Sequence, residues 1–287
     1  MRICQLLNKK NPLISFEIFP PKRVFNYETI KATIEDLIHL HPDFISVTYG
    51  AGGSTKGKTL EIASLLKNNF KIETLAHLTC VSATKNEIEE IANALQKANI
   101  ENVLALRGDF PKDPDFEFPN PLHYEHATDL LHHLNTNYDF CLGGAFYPEG
   151  HIEAESLVMD KEYLVAKENE GAEFLISQMF FDNNFFFEFE QNFKDMGGSA
   201  PLIAGIFPIT NAKQIWRMSV LCGCTIPRKL SRLVALNADH PEKLKHTGIM
   251  YAAEQIQDLI NRGVHGIHIY TMNKPEIAKS ILELIEL

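Results

Sequence analysis

Several familiar signatures are missing from this sequence of 287 residues. No run approaches the about 20 consecutive apolar residues that a membrane-spanning helix requires, so no membrane partner is expected. Residues Met1 to Lys10 lack the apolar segment of a secretory signal, and the cytoplasm is the expected location. Cysteine is sparse, five in all, an odd count without the spacing of a disulfide framework, which points to reduced thiols. Cys222-Gly223-Cys224 puts one residue between its thiols where a zinc clip has two or more, and no second Cys/His pair follows it. Packing is expected there, and no metal. Positive charge is also short: 27 Lys+Arg stand against 37 Asp+Glu, a formal charge of −10, which repels phosphodiester backbones and excludes nucleic acid as an expected partner. No G-x-G-x-x-G follows the first apolar run. The glycine-rich segment Thr48-Tyr49-Gly50-Ala51-Gly52-Gly53-Ser54-Thr55 lacks the Lys-Ser/Thr ending of a phosphate loop, so phosphate binding there stays open.

What the chain does have is apolar mass, 45% of its residues, arranged with two periods. Strand-like runs recur at 14–19, 44–49, 73–79, 102–107, 141–147, 173–180, 202–208 and 265–271. Between them apolar residues return every three or four positions, as in Ile30, Ile34, Leu37, Ile38 and in Ile88, Ile91, Leu95, which is the pattern of amphipathic helices. Repeated strand–helix units predict an α/β fold, a (β/α)8 TIM barrel, and residues 1–287 fit a single catalytic domain of that kind. A doubly wound open sheet is the competitor, weakened by the missing glycine fingerprint in the first βα turn. The interval 228–263 is too long for one crossover helix, so an extra helix from Arg228 to Asn237 is expected ahead of a long one at 242–261 and the last strand.

The residues suited to chemistry sit at the C-terminal ends of the apolar runs, where a parallel barrel gathers its loops onto one face. Glu17 lies among Phe16, Ile18 and Phe19 before Pro20-Pro21. Two readings fit it: a desolvated carboxyl that holds a proton near neutrality as a general acid, or an ion pair with a neighbour such as Lys22. Arg107-Gly108-Asp109 offers a donor fork, a close backbone approach and an acceptor, or simply a structural Arg–Asp pair. His77 interrupts an apolar run, where a lone histidine is more often a satisfied core residue than a catalyst. His151, after Tyr147-Pro148-Glu149-Gly150, is placed to meet an anion or to cap the next segment. The aromatic group Phe180, Phe181, Phe185, Phe186, Phe187, Phe189 and Phe193 is expected to pack a helix on the barrel.

Seven stretches, taken in order, resemble the methylenetetrahydrofolate reductase family. They are Ser15 to Pro21, Ser46 to Gly50, His77 to Cys80, Leu104 to Asp109, Tyr147 to Glu149, Gln178 to Asp182, and Tyr270 to Asn273. The resemblance covers essentially the whole chain in the bacterial, catalytic-domain-only form. It implies a barrel with FAD at its C-terminal face, reducing 5,10-methylenetetrahydrofolate to 5-methyltetrahydrofolate with NAD(P)H and supplying methyl groups for methionine synthesis. Flavin contacts would fall on Thr48, Tyr49, Ala51, His77, Arg107, Gly108, Asp109, Ala127, Tyr147, His151, Ala154, Asp160 and Lys167. Folate contacts would fall on Glu17, Asp109, Gln178 and Gln214, with Lys274 where an Arg is often found, and Thr48 and Gln178 would also touch the nicotinamide. Glu17 would be the acid, and Asp109 the charge beside flavin and pterin. Tyr163 and Ala166 depart from polar or basic residues near the adenylate, and Met218 from an aromatic stacking residue. The resemblance also implies a homo-oligomer and alternating, ping-pong use of the two substrates in one pocket. A ferredoxin-coupled reductase of the same broad family and a catalytically silent barrel serving as a binding subunit are the other readings.

Overall fold

The structure is a computed structural model that describes residues 1–8, 12–20, 27–49, 56–110, 116–154 and 156–287; of residues 56 and 157–161 it describes the backbone. The strands are β1 (Leu13–Ile18), β2 (Phe44–Val47), β3 (Thr74–Thr79), β4 (Asn102–Leu106), β5 (Cys141–Phe146), β6 (Ala172–Ser177), β7 (Leu202–Ile206) and β8 (Gly266–Tyr270). Each pairs in parallel with the next, and β8 pairs with β1, so the sheet closes into a barrel. The helices between and around them are α1 (Ile3–Leu6), α2 (Tyr27–Ile38), α3 (Lys56–Ser64), α4 (Lys85–Lys97), α5 (Ala127–Asn137), α6 (Leu157–Asn169), α7 (Asn183–Asp195), α8 (Ala212–Cys222), α9 (Arg228–Asn237), α10 (Pro241–Asn261) and α11 (Pro275–Leu282). A wider turn over Leu65–Phe70 continues α3. The expected (β/α)8 TIM barrel is therefore the fold, and α9 is the extra helix before the last strand.

Alternation along each strand makes two apolar layers, because successive side chains point to opposite faces. One set, Leu13, Phe44, Leu75, Leu104, Phe174 and Ile203, fills the barrel interior together with Ile3 and Leu6 of α1 and Leu7 just after it, so that α1 closes the N-terminal end. The other set, including Phe16, Ile18, Ile45, Val47, Ala76 and Leu78, packs outward against Ile30, Ile34 and Leu37 of α2 and Ile88 and Leu95 of α4. Full burial of a large aliphatic or aromatic side chain stabilises by about 1.5–3 kcal/mol, so this double layer carries most of the driving force. The same alternation fixes where polarity goes. Two residues beyond Leu13, Phe44 and Leu75 on the inward face come Ser15, Ser46 and His77, and one step further on β1 comes Glu17.

The described helices begin and end where their local chemistry dictates. Thr84 and Glu87 form a reciprocal capping box at the start of α4, with Thr84 N–H donating to Glu87 Oε2 at 2.9 Å. Gly223 stops α8 in the left-handed region at φ 67°. The phenylalanines of α7 pack as expected: Phe146 of β5 lies 4.5 Å from the Phe189 ring, centroid to centroid. The strand boundaries fall within two residues of expectation except at the end of β6. β6 ends at Ser177 rather than at 180, because Gln178 Oε1 accepts the Met179 N–H at 2.9 Å and the Phe180 carbonyl is taken by Gln255 Nε2 at 3.0 Å.

Gly205 of β7 is needed for close approach. A Cβ there would sit 2.2 Å from the Ser177 carbonyl oxygen and 2.6 Å from the Tyr270 hydroxyl, which itself donates to that carbonyl at 2.7 Å. Gly205→Ala should therefore push Tyr270 off Ser177 and cost about 1–3 kcal/mol, the usual penalty of overpacking. Urea unfolding measures it; an unchanged midpoint would mean that Tyr270 moves aside without loss.

Candidate active site

Glu17 is held by backbone geometry at the end of β1. Its Cα pairs with Ser46 on one side and Tyr270 on the other, and its carbonyl accepts the Thr271 hydroxyl at 2.7 Å. The side chain is 17% exposed and faces the Nε2 of His77 across 3.9 Å. Loss of hydration pushes the Glu17 carboxyl up to about 8. Burial acts in the opposite direction on His77, down to about 3, so the imidazole is neutral at physiological pH. His77 Nε2 is buried and has no hydrogen-bond partner among the described residues. A protonated acid beside a neutral imidazole is the arrangement expected when neither can be hydrated as an ion. Lys22, the alternative partner of Glu17, lies outside the described residues.

Below this pair the barrel interior remains polar and satisfied. His268 Nδ1 is 2.8 Å from Ser15 Oγ and its Nε2 is 3.2 Å from Ser46 Oγ, while Ser15 Oγ donates to the Ile267 carbonyl at 3.1 Å. Burial, with His77 nearby, lowers His268 to about 3 as well. None of these three residues was singled out by sequence reasoning. The available signal was parity: His268 and Tyr270 alternate with Ile267 and Ile269, which marks them as inward-facing.

A second group gathers at the ends of β5 and β6. Gln178 and Tyr147 come side by side here, and burial pushes the Tyr147 phenol up to about 12. Tyr147 stands edge-on to His151, with ring centroids 4.5 Å apart. The backbone turn is closed by Gly150 N–H to the Tyr147 carbonyl at 3.0 Å and Ala154 N–H to the His151 carbonyl at 2.9 Å. Nearby, Lys167 Nζ reaches from α6 to the Ala145 carbonyl at 2.7 Å. Glu149 accepts the Thr225 N–H with both oxygens, at 3.0 and 2.9 Å, tying this turn to the α8–α9 connection.

The third group follows β4. Arg107 Nη2 donates to Glu153 Oε2 at 2.5 Å, and its guanidinium lies 5.6 Å from the Phe110 ring centroid. Arg107 thus pairs with Glu153, a residue that sequence reasoning missed, rather than with Asp109. Gly108 has φ 83°, and a Cβ there would meet Thr79 Cβ at 2.8 Å, so only glycine suits this close turn. Asp109 is exposed, near enough to Cys222 to help burial raise that thiol to about 11.

The remaining expected residues are more scattered. Thr48 N–H donates to the Ile18 carbonyl at 3.0 Å, its own carbonyl accepts Thr59 Oγ1 at 2.9 Å, and Tyr49 is half-buried beside it. Ala127 opens α5 and is buried. Gln214 lies in the first turn of α8, its N–H donating to Asn211 Oδ1 at 3.3 Å. Lys274 is exposed ahead of α11. Ala51 and the glycine-rich loop lie outside the described residues, as does the side chain of Asp160. Tyr163 and Ala166 line an open cleft between α5 and α6 together with Tyr124, Asp129 and His133.

Comparison with known proteins adds the family. The family model described as methylenetetrahydrofolate reductase matches residues 2–286. Methylenetetrahydrofolate reductase (NADH) 1 of Arabidopsis thaliana is 35% identical over 279 residues, 93% of this chain and 47% of that protein. The 5,10-methylenetetrahydrofolate reductase of Escherichia coli is 33% identical over 268 residues, 93% of this chain and 88% of that protein. The chain therefore spans about half the length of its plant and fission-yeast relatives, 47% in each case. A Clostridium thermocellum protein whose structure is described as binding two copies of 5-methyl-5,6,7,8-tetrahydrofolic acid superposes with a TM-score of 0.64 over 99% of this chain and 98% of its own. At 16% identity that is a likeness of fold. Among the described residues no helix is long and apolar enough to cross a membrane.

The Glu17 shift predicts a pH signature in stability. Its carboxyl moves from 4.5 to about 8 on folding, so between those values the unfolded chain binds fewer protons and stability falls as pH rises, levelling off above about 8. His77 and His268 slope the other way, gaining stability from about pH 3 to 6.5, but they do so with or without Glu17. The thermal midpoint of Glu17→Gln minus that of the wild type should therefore widen from about pH 5 to pH 8 and then stay constant. A difference independent of pH would show Glu17 to be ionised throughout.

Proposed function

The chain belongs to the methylenetetrahydrofolate reductase family, and on that premise we propose that it reduces 5,10-methylenetetrahydrofolate to 5-methyltetrahydrofolate with NAD(P)H, using FAD as bound cofactor. The observation that carries this reading is Glu17: a carboxyl raised to about 8 by burial and facing a neutral imidazole at 3.9 Å. Breaking the N10–methylene bond of the folate requires a proton on N10, and the methylene carbon then accepts a hydride to become the methyl group. A carboxyl that keeps its proton at neutral pH meets the first need.

The residues at the barrel mouth suit FAD. The buried, partnerless His77 Nε2 and the close Gly108 turn leave a polar atom and backbone available to a ring, and His151, Arg107 and Lys167 provide cationic or donor groups around the same face. Thr48, Tyr49, Tyr147, Ala127 and Ala154 complete the set proposed to hold it, with Ala51 and Asp160 included on motif position. FAD, when bound, supplies the hydride carrier between the two substrates. Arg107 is bound to Glu153 and Lys167 to the Ala145 carbonyl, so both would have to share or exchange those partners to meet a diphosphate.

The rest of the work falls to the chain itself. Asp109, exposed at the mouth, keeps a negative charge where cationic character develops on the folate as its ring opens, which favours that charge. Gln178 Oε1 accepts the Met179 N–H, which turns the amide beside Tyr147. That fixes the amide plane and presents one edge to whichever substrate occupies the mouth. Gln214 and Lys274 would meet the outer part of the folate, Lys274 as a point charge for its carboxylates. A single mouth serving both substrates makes their use alternate.

Anaerobic mixing with NADH or NADPH, followed by methylenetetrahydrofolate, tests the reading. Flavin absorbance should bleach with the reduced nicotinamide and return with the folate; absence of bleaching by either nucleotide would reject NAD(P)H as reductant and favour a ferredoxin-coupled enzyme. Glu17→Gln should bleach normally but reoxidise with folate about 100-fold more slowly or worse, the usual contribution of a general acid. Near-normal reoxidation would remove Glu17 from the reaction. Gln178→Ala should slow both phases and leave initial-rate plots parallel; impairment of one phase alone, with intersecting plots, would separate the two substrate sites.

A further inference from the structure

The floor of the barrel, at the opposite end from Glu17, gathers three metal-ligating side chains that the proposed reaction does not use. Cys4 comes from α1, Cys141 opens β5, and Glu173 is the second residue of β6. Their ligand atoms all lie within 4.8 Å of one another. With 169 positions of sequence separating the first from the last, 4 from 173, they form no motif, and only barrel closure brings them together.

A local irregularity of the sheet aims Glu173 at this point. The β5–β6 register pairs Leu142 with Ala172 and then Gly143 with Phe174, so Glu173 is the extra residue of a bulge. Bulges re-aim side chains. Glu173 is the one exposed position in an otherwise buried strand, at the rim above a half-buried Cys4 and a buried Cys141. Solvent thus reaches the cysteines past the carboxylate, which gives an ion a way in.

We propose that Cys4, Cys141 and Glu173 form a zinc site, with water as fourth ligand, that pins α1 to the first residues of β5 and β6. Two sulfurs, one oxygen and water make a tetrahedral set suited to a borderline-soft d10 cation. Zinc bonds of about 2.3 Å to sulfur and about 2.0–2.2 Å to oxygen place tetrahedral ligand atoms roughly 3.4–3.8 Å apart. Side-chain rotations that close the present separations by roughly 1 Å therefore suffice. Binding releases the two thiol protons: two Cys–SH and one Zn2+ give one Zn(S-Cys)2 unit and two H+. The three negative ligands then exceed the ion by one charge, and the Arg2 guanidinium, which feels both Glu173 and Cys141, lies beside them with Asp139 as its hydrogen-bond partner.

A disulfide between Cys4 and Cys141 is the rival use of the same thiols. It would leave Glu173 without a part.

The test uses the full chain, reduced with a phosphine, freed of metal with a chelator and titrated with Cd2+ and Co2+, recorded as difference spectra so that any bound chromophore cancels. One ion per chain should bind with a thiolate charge-transfer band, and Zn2+ should compete for it and raise the thermal midpoint. Cys4→Ala should abolish the band, and Glu173→Gln, at an exposed position, should weaken binding about tenfold or more. Cys222→Ala should leave both intact, since that thiol belongs to the other end of the barrel. No band, or a band that survives Cys4→Ala and disappears in Cys222→Ala, would overturn the site. So would recovery of the chain with Cys4 already joined to Cys141, which would make the pair a redox element instead.

Discussion

The carboxyl of Glu17 is desolvated because a closed parallel barrel gives an inward-facing side chain nowhere else to go. Alternation along β1 sends Leu13, Ser15 and Glu17 to the same face, and closure through the β1–β2 and β1–β8 ladders removes the edge past which water would reach them. The end of β1 is then fixed by the turn after β8. Thr271 Oγ1 donates to the Glu17 carbonyl at 2.7 Å, and Asn273 both accepts from Phe19 N–H at 3.0 Å and donates to the Phe19 carbonyl at 2.8 Å. Met272 and Asn273 sit at φ 54° and 56°, an uncommon conformation for side-chain-bearing residues that these bonds hold in place.

Everything inside the barrel follows from that desolvation. A buried ion is costly unless paired, so groups that can neutralise do so. Glu17 keeps its proton while His77 and His268 lose theirs, and the interior below the mouth carries no net charge. His268 is satisfied by the hydroxyls of Ser15 and Ser46 on the neighbouring strands β1 and β2, one at each ring nitrogen. His77 Nε2 is left facing Glu17 without a hydrogen bond. The stability given up by holding these groups uncharged in the core is offset by the two apolar layers around them, and what is gained is an acid that is loaded near neutral pH.

Legibility in the sequence divides along physical lines. Strands and helices were readable because both faces of each strand are apolar for most of their length and the helices keep a three-to-four period; even α9, Arg228–Asn237, was visible as surplus length before β8. The end of β6 was not, since the apolar run continues through Phe181 while the strand is stopped by a side-chain-to-backbone bond from Gln178. Glu17 stood out as a charge in an apolar run, but its neighbour His77 read more readily as a core residue. Long-range partners were hidden. Nothing in the order of residues ties Arg107 to Glu153 or Cys4 to Cys141 and Glu173, because those proximities are created by ring closure and by one bulge.

The central claim is that the fold holds Glu17 as a neutral carboxylic acid at physiological pH. Infrared difference spectroscopy of the wild type against Glu17→Gln measures that directly through the carbonyl stretch of a protonated carboxyl. The account requires this band to be present at pH 7 and to vanish with a midpoint near 8. A carboxylate band in its place at pH 6 would show the side chain already ionised and would contradict it.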